Sequence, residues 1–143
     1  MPIDGIFDST VELLAKSVDL RTREHNLISS NLANAETPGY TPKALQFEES
    51  LQKAVKKSTV GHIGSPSVTH PAHIPLRGSA DSIQQVRGTV IDVPAATPGR
   101  DRNSVELENE MSRMMQNQVL FNASTQLLTK KFESLRSALR EGK

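Results

Sequence analysis

The segment Asn31-Leu-Ala-Asn-Ala-Glu-Thr-Pro-Gly-Tyr40 ends a long apolar helix pattern within a few residues. A second, longer apolar stripe occupies the C-terminal end, from Asn103 onward. Two long adhesive helices at opposite ends of a 143-residue chain imply an assembly subunit more readily than a self-contained enzyme. The eight Pro and eight Gly fall mostly between these ends. Only 3% of residues are aromatic, so few large side chains are available to anchor a compact interior. The length fits one domain with a modest core.

Val11, Leu14, Val18, Ile28 and Leu32 share one broad face of the first helix, and Leu13, Leu20 and Leu27 repeat every seven residues on an adjacent stripe. Arg21 and His25 interrupt the first face. The apolar surface wraps much of the helix, which implies burial by more than one neighbour. Ser9 or Thr10 caps its start, Glu12 adds favourable charge to its first turn, and Thr37-Pro38-Gly39 ends it near Asn34 to Glu36.

The stretch Leu45 to Val55 predicts a short helix. From Lys57 to Gly99 the pattern dissolves into Gly, Pro, Ser, Thr and His. Ile74-Pro-Leu76 and Thr89-Val-Ile-Asp-Val93 are its plausible strands, and the prolines in or beside them confine them to an edge or a ribbon. The last helix is expected from about Ser104 to Arg140, roughly 55 Å at 1.5 Å per residue, with Asn103 and Glu106 as a capping box. Leu107, Met111, Met114, Gln118, Phe121, Thr125, Leu128, Phe132, Leu135 and Leu139 alternate spacings of four and three, as a coiled-coil seam requires. Gln118 and Thr125 are its polar members. Either they fix register from a buried position, or they face solvent where the seam drifts.

The expected architecture is therefore mainly α: N- and C-terminal long helices in an antiparallel coiled-coil-like hairpin, with an irregular, short β-ribbon middle segment. Residues 1–40 form the axial helix and its turn, 41–102 the middle segment, and 103–143 the coiled-coil helix. An isolated amphipathic helix is marginal in water, so the ends are expected to order on assembly.

Charge excludes other classes. The 17 basic and 16 acidic residues are interspersed, giving a net charge of +1 and no basic footprint for nucleic acid. The absence of cysteine removes disulfides and thiolate-bound zinc. No apolar run reaches the roughly 18 residues of a membrane span, and the N-terminus lacks the pattern of a cleaved signal peptide. His62, His70 and His73 are the one candidate metal cluster, but interleaved prolines leave their geometry unordered, and no metal, cofactor or catalytic site is expected. Asn31 and Asn34 carry amides able to fix the register of the turn, Gly39 supplies a positive φ, and Tyr40 is an anchor with a polar tip.

These residues resemble a known family, the axial proteins of the bacterial flagellum. Its N-terminal signature is matched by Ser30-Asn-Leu-Ala-Asn-Ala-Glu-Thr-Pro-Gly-Tyr40, and its C-terminal helix is resembled by the stretch opening Asn103-Ser-Val-Glu-Leu-Glu-Asn-Glu-Met111. Asn31, Leu32, Asn34, Thr37, Gly39 and Tyr40 are the matching signature positions. Length and the short middle segment are most similar to the proximal rod proteins, with FlgC the nearest confusable relative. The resemblance implies a periplasmic rod subunit of the basal body, exported by the flagellar type III apparatus without cleavage. It also implies self-association and contacts with FlgC, the adaptor FliE and the membrane-ring protein FliF. The competing readings are a soluble coiled-coil adaptor or export chaperone and, further off, a small metal enzyme.

Overall fold

A computed structural model describes residues 9–60, 83–95 and 99–141. Helix α1 spans Ser9–Ala33, strand β1 Lys43–Gln46, helix α2 Glu48–Val60, a 3₁₀ turn Ile83–Gln85, strand β2 Thr89–Asp92, and helix α3 Leu107–Glu141. The fold is mainly α. Helices α1 and α3 run antiparallel: Ser17 meets Ser124, Arg21 meets Asn117, and Asn31 meets Glu110.

The sheet is a two-stranded antiparallel ribbon in which Ala44 faces Ile91 and Leu45 faces Val90. It corrects the helix expected over Leu45–Val55. Ala44, Leu45 and Phe47 are all buried, and pairing of Lys43–Gln46 with β2 holds this stretch extended. The helix begins only at Glu48, where Glu48 and Glu49 place negative charge on its first turn. The ribbon strand expected around Thr89–Val93 is β2. Its expected companion, Ile74–Leu76, lies outside the described residues.

The core sits where this ribbon and α2 meet α1. Leu20, Leu45, Phe47, Ala54, Ile83 and Val86 form it, with Leu13, Leu27, Leu51 and Val55 packed around them. The Leu13–Leu20–Leu27 stripe thus serves the middle segment, while another side of α1 lies along α3. One helix is covered by two neighbours, which is why its apolar surface is so wide. Gly88, at φ 68°, passes so close to Leu45 that a Cβ would lie 3.0 Å from its side chain, so both backbone conformation and space demand glycine there.

The start of α3 differs from the expected capping box. Residues Asn103 and Ser104 are buried, non-helical chain: the Ser104 N–H donates to the Tyr40 carbonyl at 3.1 Å, and its carbonyl accepts from the Ala95 N–H at 3.3 Å. The first helical bond runs from the Glu110 N–H to the Glu106 carbonyl, at 3.0 Å. The helix starts one turn late because the backbone at 103–104 is engaged with the signature turn. At 35 residues it is still a rod of about 52 Å.

Phe47 is the largest side chain buried below 2% exposure. Phe47→Ala is expected to lower unfolding free energy by about 3–5 kcal/mol, the usual range for deleting a core aromatic, read as a shift in the urea midpoint at unchanged m-value.

Candidate functional site: the clasp between the terminal helices

Asn31 is fully buried, and every polar group of its side chain is used. Its Nδ2 donates to the Lys43 carbonyl at 2.8 Å and to Glu110 Oε2 at 2.9 Å. Its Oδ1 accepts from the Lys43 N–H at 2.9 Å and from the Tyr40 hydroxyl at 3.1 Å. Two donors and two lone pairs meet four partners, the full capacity of an amide. The partners also fix its orientation, since a flipped amide would set its oxygen against a carboxylate and a carbonyl. One side chain thereby joins α1, the entry to β1, the signature turn and α3.

The turn itself is closed locally. Asn34 Nδ2 donates back to the Ser30 carbonyl at 2.8 Å, and its Oδ1 accepts from the Thr37 hydroxyl at 3.2 Å. Gly39 has φ 73° and donates its N–H to the Asp101 carbonyl at 3.1 Å. Nothing lies within 4 Å of a Cβ built there, so the backbone conformation alone favours glycine. Leu32 is half-buried beside this array.

Asn103 completes the clasp from the other end of the chain. The two N–H groups of its Nδ2 are shared among the carbonyls of Asn34, Ala35 and Thr37 at 3.1, 2.8 and 2.8 Å, while its Oδ1 accepts from the Val105 N–H at 2.8 Å. Carbonyls at and just past a helix C-terminus lack intrahelical partners, and this amide supplies one. The reading of Asn103 as a helix cap assigns it too local a role. It is a plug for the signature turn, and Glu110 is the second residue that the sequence alone did not single out. The available signal is a polar heptad: Glu110, Asn117, Ser124 and Lys131 recur every seven residues, three after Leu107, Met114, Phe121 and Leu128.

Those polar positions are the ones facing α1. Asn117 is buried and donates to the Arg21 carbonyl at 2.9 Å, while Arg21 donates to Asn117 Oδ1 at 3.3 Å. Between Asn117 and Asn31 lies an ionic bridge. Arg113 contacts Glu110 at 2.9 Å and Glu24 at 3.8 Å, and Arg21 contacts Glu24 at 3.6 Å while lying over the Phe47 ring. Arg21, which seemed only to interrupt an apolar face, is a linchpin of this bridge.

Burial raises the Glu24 pKa above the usual carboxylate value; Glu48 pushes it the same way, and Arg21 and Arg113 oppose them. A raised folded-state pKa means the native state binds this proton more tightly. Its contribution is present below the ordinary carboxylate range and is lost as pH rises through the raised value.

The expected seam divides. Met114, Phe121, Leu128 and Leu135 are half-buried on the side toward α1. Leu107, Met111, Phe132 and Leu139 remain 44–70% exposed, and so do Gln118 and Thr125. Gln118 bonds Asn122, and the Thr125 hydroxyl donates to the Phe121 carbonyl. The buried polar residues of α3 are therefore Asn117 and Glu110, one heptad position away from Gln118 and Thr125. No group of His, Asp and Glu able to hold a metal occurs among the described residues; His62, His70 and His73 lie outside them.

The profile of the family "Flagella basal body rod protein" matches residues 21–41, from Arg21 through the signature turn. The FlgB flagellar basal body rod protein of Yersinia ruckeri is 26% identical over 136 residues, covering 94% of this chain and 96% of that protein. FlgB of Escherichia coli K12 is 21% identical over the same shares. FlgB of Cereibacter sphaeroides is 29% identical over 126 residues, 88% of this chain and 90% of the relative.

Asn31→Asp removes two donors and sets a carboxylate against Glu110. A loss of about 3 kcal/mol or more is expected at pH 7, since each unsatisfied buried group costs about 1–3 kcal/mol. Protonation of the new carboxyl restores one donor, so the gap to wild type narrows near pH 4. Paired urea titrations at the two pH values measure it.

Proposed function

We propose that the chain is a flagellar basal-body rod protein, similar to the FlgB relatives over nearly its whole length, and a structural subunit of the proximal rod. It stacks helically through its terminal helices and carries torque. The single observation behind this reading is the split seam. The clasp fixes α1 against α3 with buried polar contacts, while α3 leaves Leu107, Met111, Met115, Val119, Phe132 and Leu139 facing outward. A helix pair held by its own hydrogen bonds and exposing an apolar ridge is built to be covered by other subunits. Contacts that do not close a ring then generate a filament.

In this reading the protein has no catalytic role. Residues 1–40 and 103–143 form the axial part and 41–102 the segment between. The partners are further copies, FlgC, FliE and FliF, reached after type III export without signal cleavage. No described helix is long and apolar enough to cross a membrane, in keeping with a subunit that occupies the periplasmic rod.

Deletion of the gene, complemented by the intact chain, is expected to remove rod and filament while leaving the membrane ring, seen by electron microscopy of basal bodies. Complementation with Val119→Asp is expected to reduce swimming at least tenfold without lowering the melting temperature, because that side chain is 66% exposed. Flagella of normal number in the deletion strain would overturn the rod reading in favour of an adaptor.

A further inference from the structure

A cleft of about 450 Å³ lies between the ribbon and the first turns of α3. Pro42, Ala44, Ile91, Val93 and Pro94 give it apolar walls. Glu24, Glu48, Glu106 and Glu110 supply carboxylates, and among the described residues Arg113 is the one cation lining it. That cation is already engaged by Glu110 and Glu24. Glu48 is 65% exposed, with an ion pair to Arg21 only at 3.9 Å, and the buried Glu24 Oε2 has no hydrogen-bond donor. Apolar walls with surplus negative charge suit an amphipathic cationic segment, whose stems pack while their charged tips pair.

The chain carries such a segment at the far end of the same helix. The last turns of α3 present Arg136 and Arg140 beside Leu139, which is 70% exposed. From Glu110 to Leu139 is 29 residues, or about 43 Å along a straight helix, so the segment cannot reach the cleft of its own chain. We propose that the cleft receives the cationic end of α3, around Arg136, Leu139 and Arg140, from a second copy. Cleft and end are different surfaces, so the contact is heterologous. Repeated, it gives an open polar filament instead of a closed dimer, with an axial step on the order of 43 Å. The inference rests on the rod reading and names the charges that would join successive subunits.

Acidic residues at the start of α3 and basic ones at its end also suit the helix dipole. Glu48 suits the dipole of α2 in the same way, but a dipole effect lost at Glu48 is not restored by reversing Arg140, so rescue in an exchange between Glu48 and Arg140 separates the two explanations. Glu48→Lys and Arg140→Glu are each expected to lower swimming at least tenfold, and the double variant to recover most of it, with thermal unfolding of the purified chains similar throughout. Because the chain lacks cysteine, Gln46→Cys and Ala138→Cys on separate copies provide an independent readout. Co-expressed, they should give a disulfide-linked dimer in isolated basal bodies, and neither alone should.

Single variants that swim normally, or a cysteine pair that never links, overturn the contact. Defective single variants without rescue in the double overturn the second copy as occupant and point to another basal-body protein. If deletion removes the rod while these tests are negative, only this contact fails. If deletion leaves the rod intact, the rod reading itself fails.

Discussion

The organisation of the protein depends on one buried amide. Asn31 satisfies both backbone groups of Lys43, the Tyr40 hydroxyl and the Glu110 carboxylate. Through Lys43 it sets where the ribbon begins, and through Tyr40 it folds the signature turn back onto α1. Its bond to Glu110 sets the axial register of α3. A buried amide left unsatisfied would be costly, whereas a fully satisfied one admits a single arrangement of its partners. Asn103 repeats the logic from the opposite end of the chain by sharing its two amide N–H groups among three carbonyls of the same turn. The N-terminal signature and the start of the C-terminal helix thus form one structural unit, although about seventy residues separate them in sequence.

This arrangement accounts for the division of the apolar stripe on α3. An antiparallel pair held by apolar knobs alone would bury the stripe internally and leave little for neighbours. Here Glu110, Asn117 and Ser124 hold the internal contact through hydrogen bonds. The adjoining apolar positions at Leu107, Met111 and Phe132 stay available. Polar contacts fix register inside the subunit and leave apolar area exposed. On the proposed rod reading both are needed, since slippage within a subunit would weaken transmission as surely as slippage between subunits.

Much of the fold was legible from residue patterns. Period-3.6 stripes located α1 and α3, Thr37-Pro38-Gly39 located the break, and Thr89–Asp92 was recognisable as a ribbon strand. The first ribbon strand was hidden because Ala44, Phe47, Leu51 and Val55, spaced three, four and four, also fit a helical face, and only pairing with Val90 and Ile91 decides between them. The clasp was half legible. Asn31, Asn34, Gly39 and Tyr40 stood out around the break, but an amide's partners across the chain cannot be inferred from spacing. Glu110 and Asn117 carry no distinguishing signal, since a polar heptad beside a stronger apolar one matches the outer face of a helix. Arg21 looked like a defect for the same reason.

The most direct test of the clasp is hydrogen exchange at the Lys43 amide in the isolated chain, resolved by NMR. This N–H donates to a side-chain oxygen, so its protection reports on Asn31 itself and not on ribbon pairing. If the buried amide organises the fold, the Lys43 N–H exchanges only through global opening, with the same free energy as core amides of α1 such as Leu20. Exchange at the rate of an exposed loop amide, with α1 still protected, would show that the terminal helices are held together without it and would contradict the account.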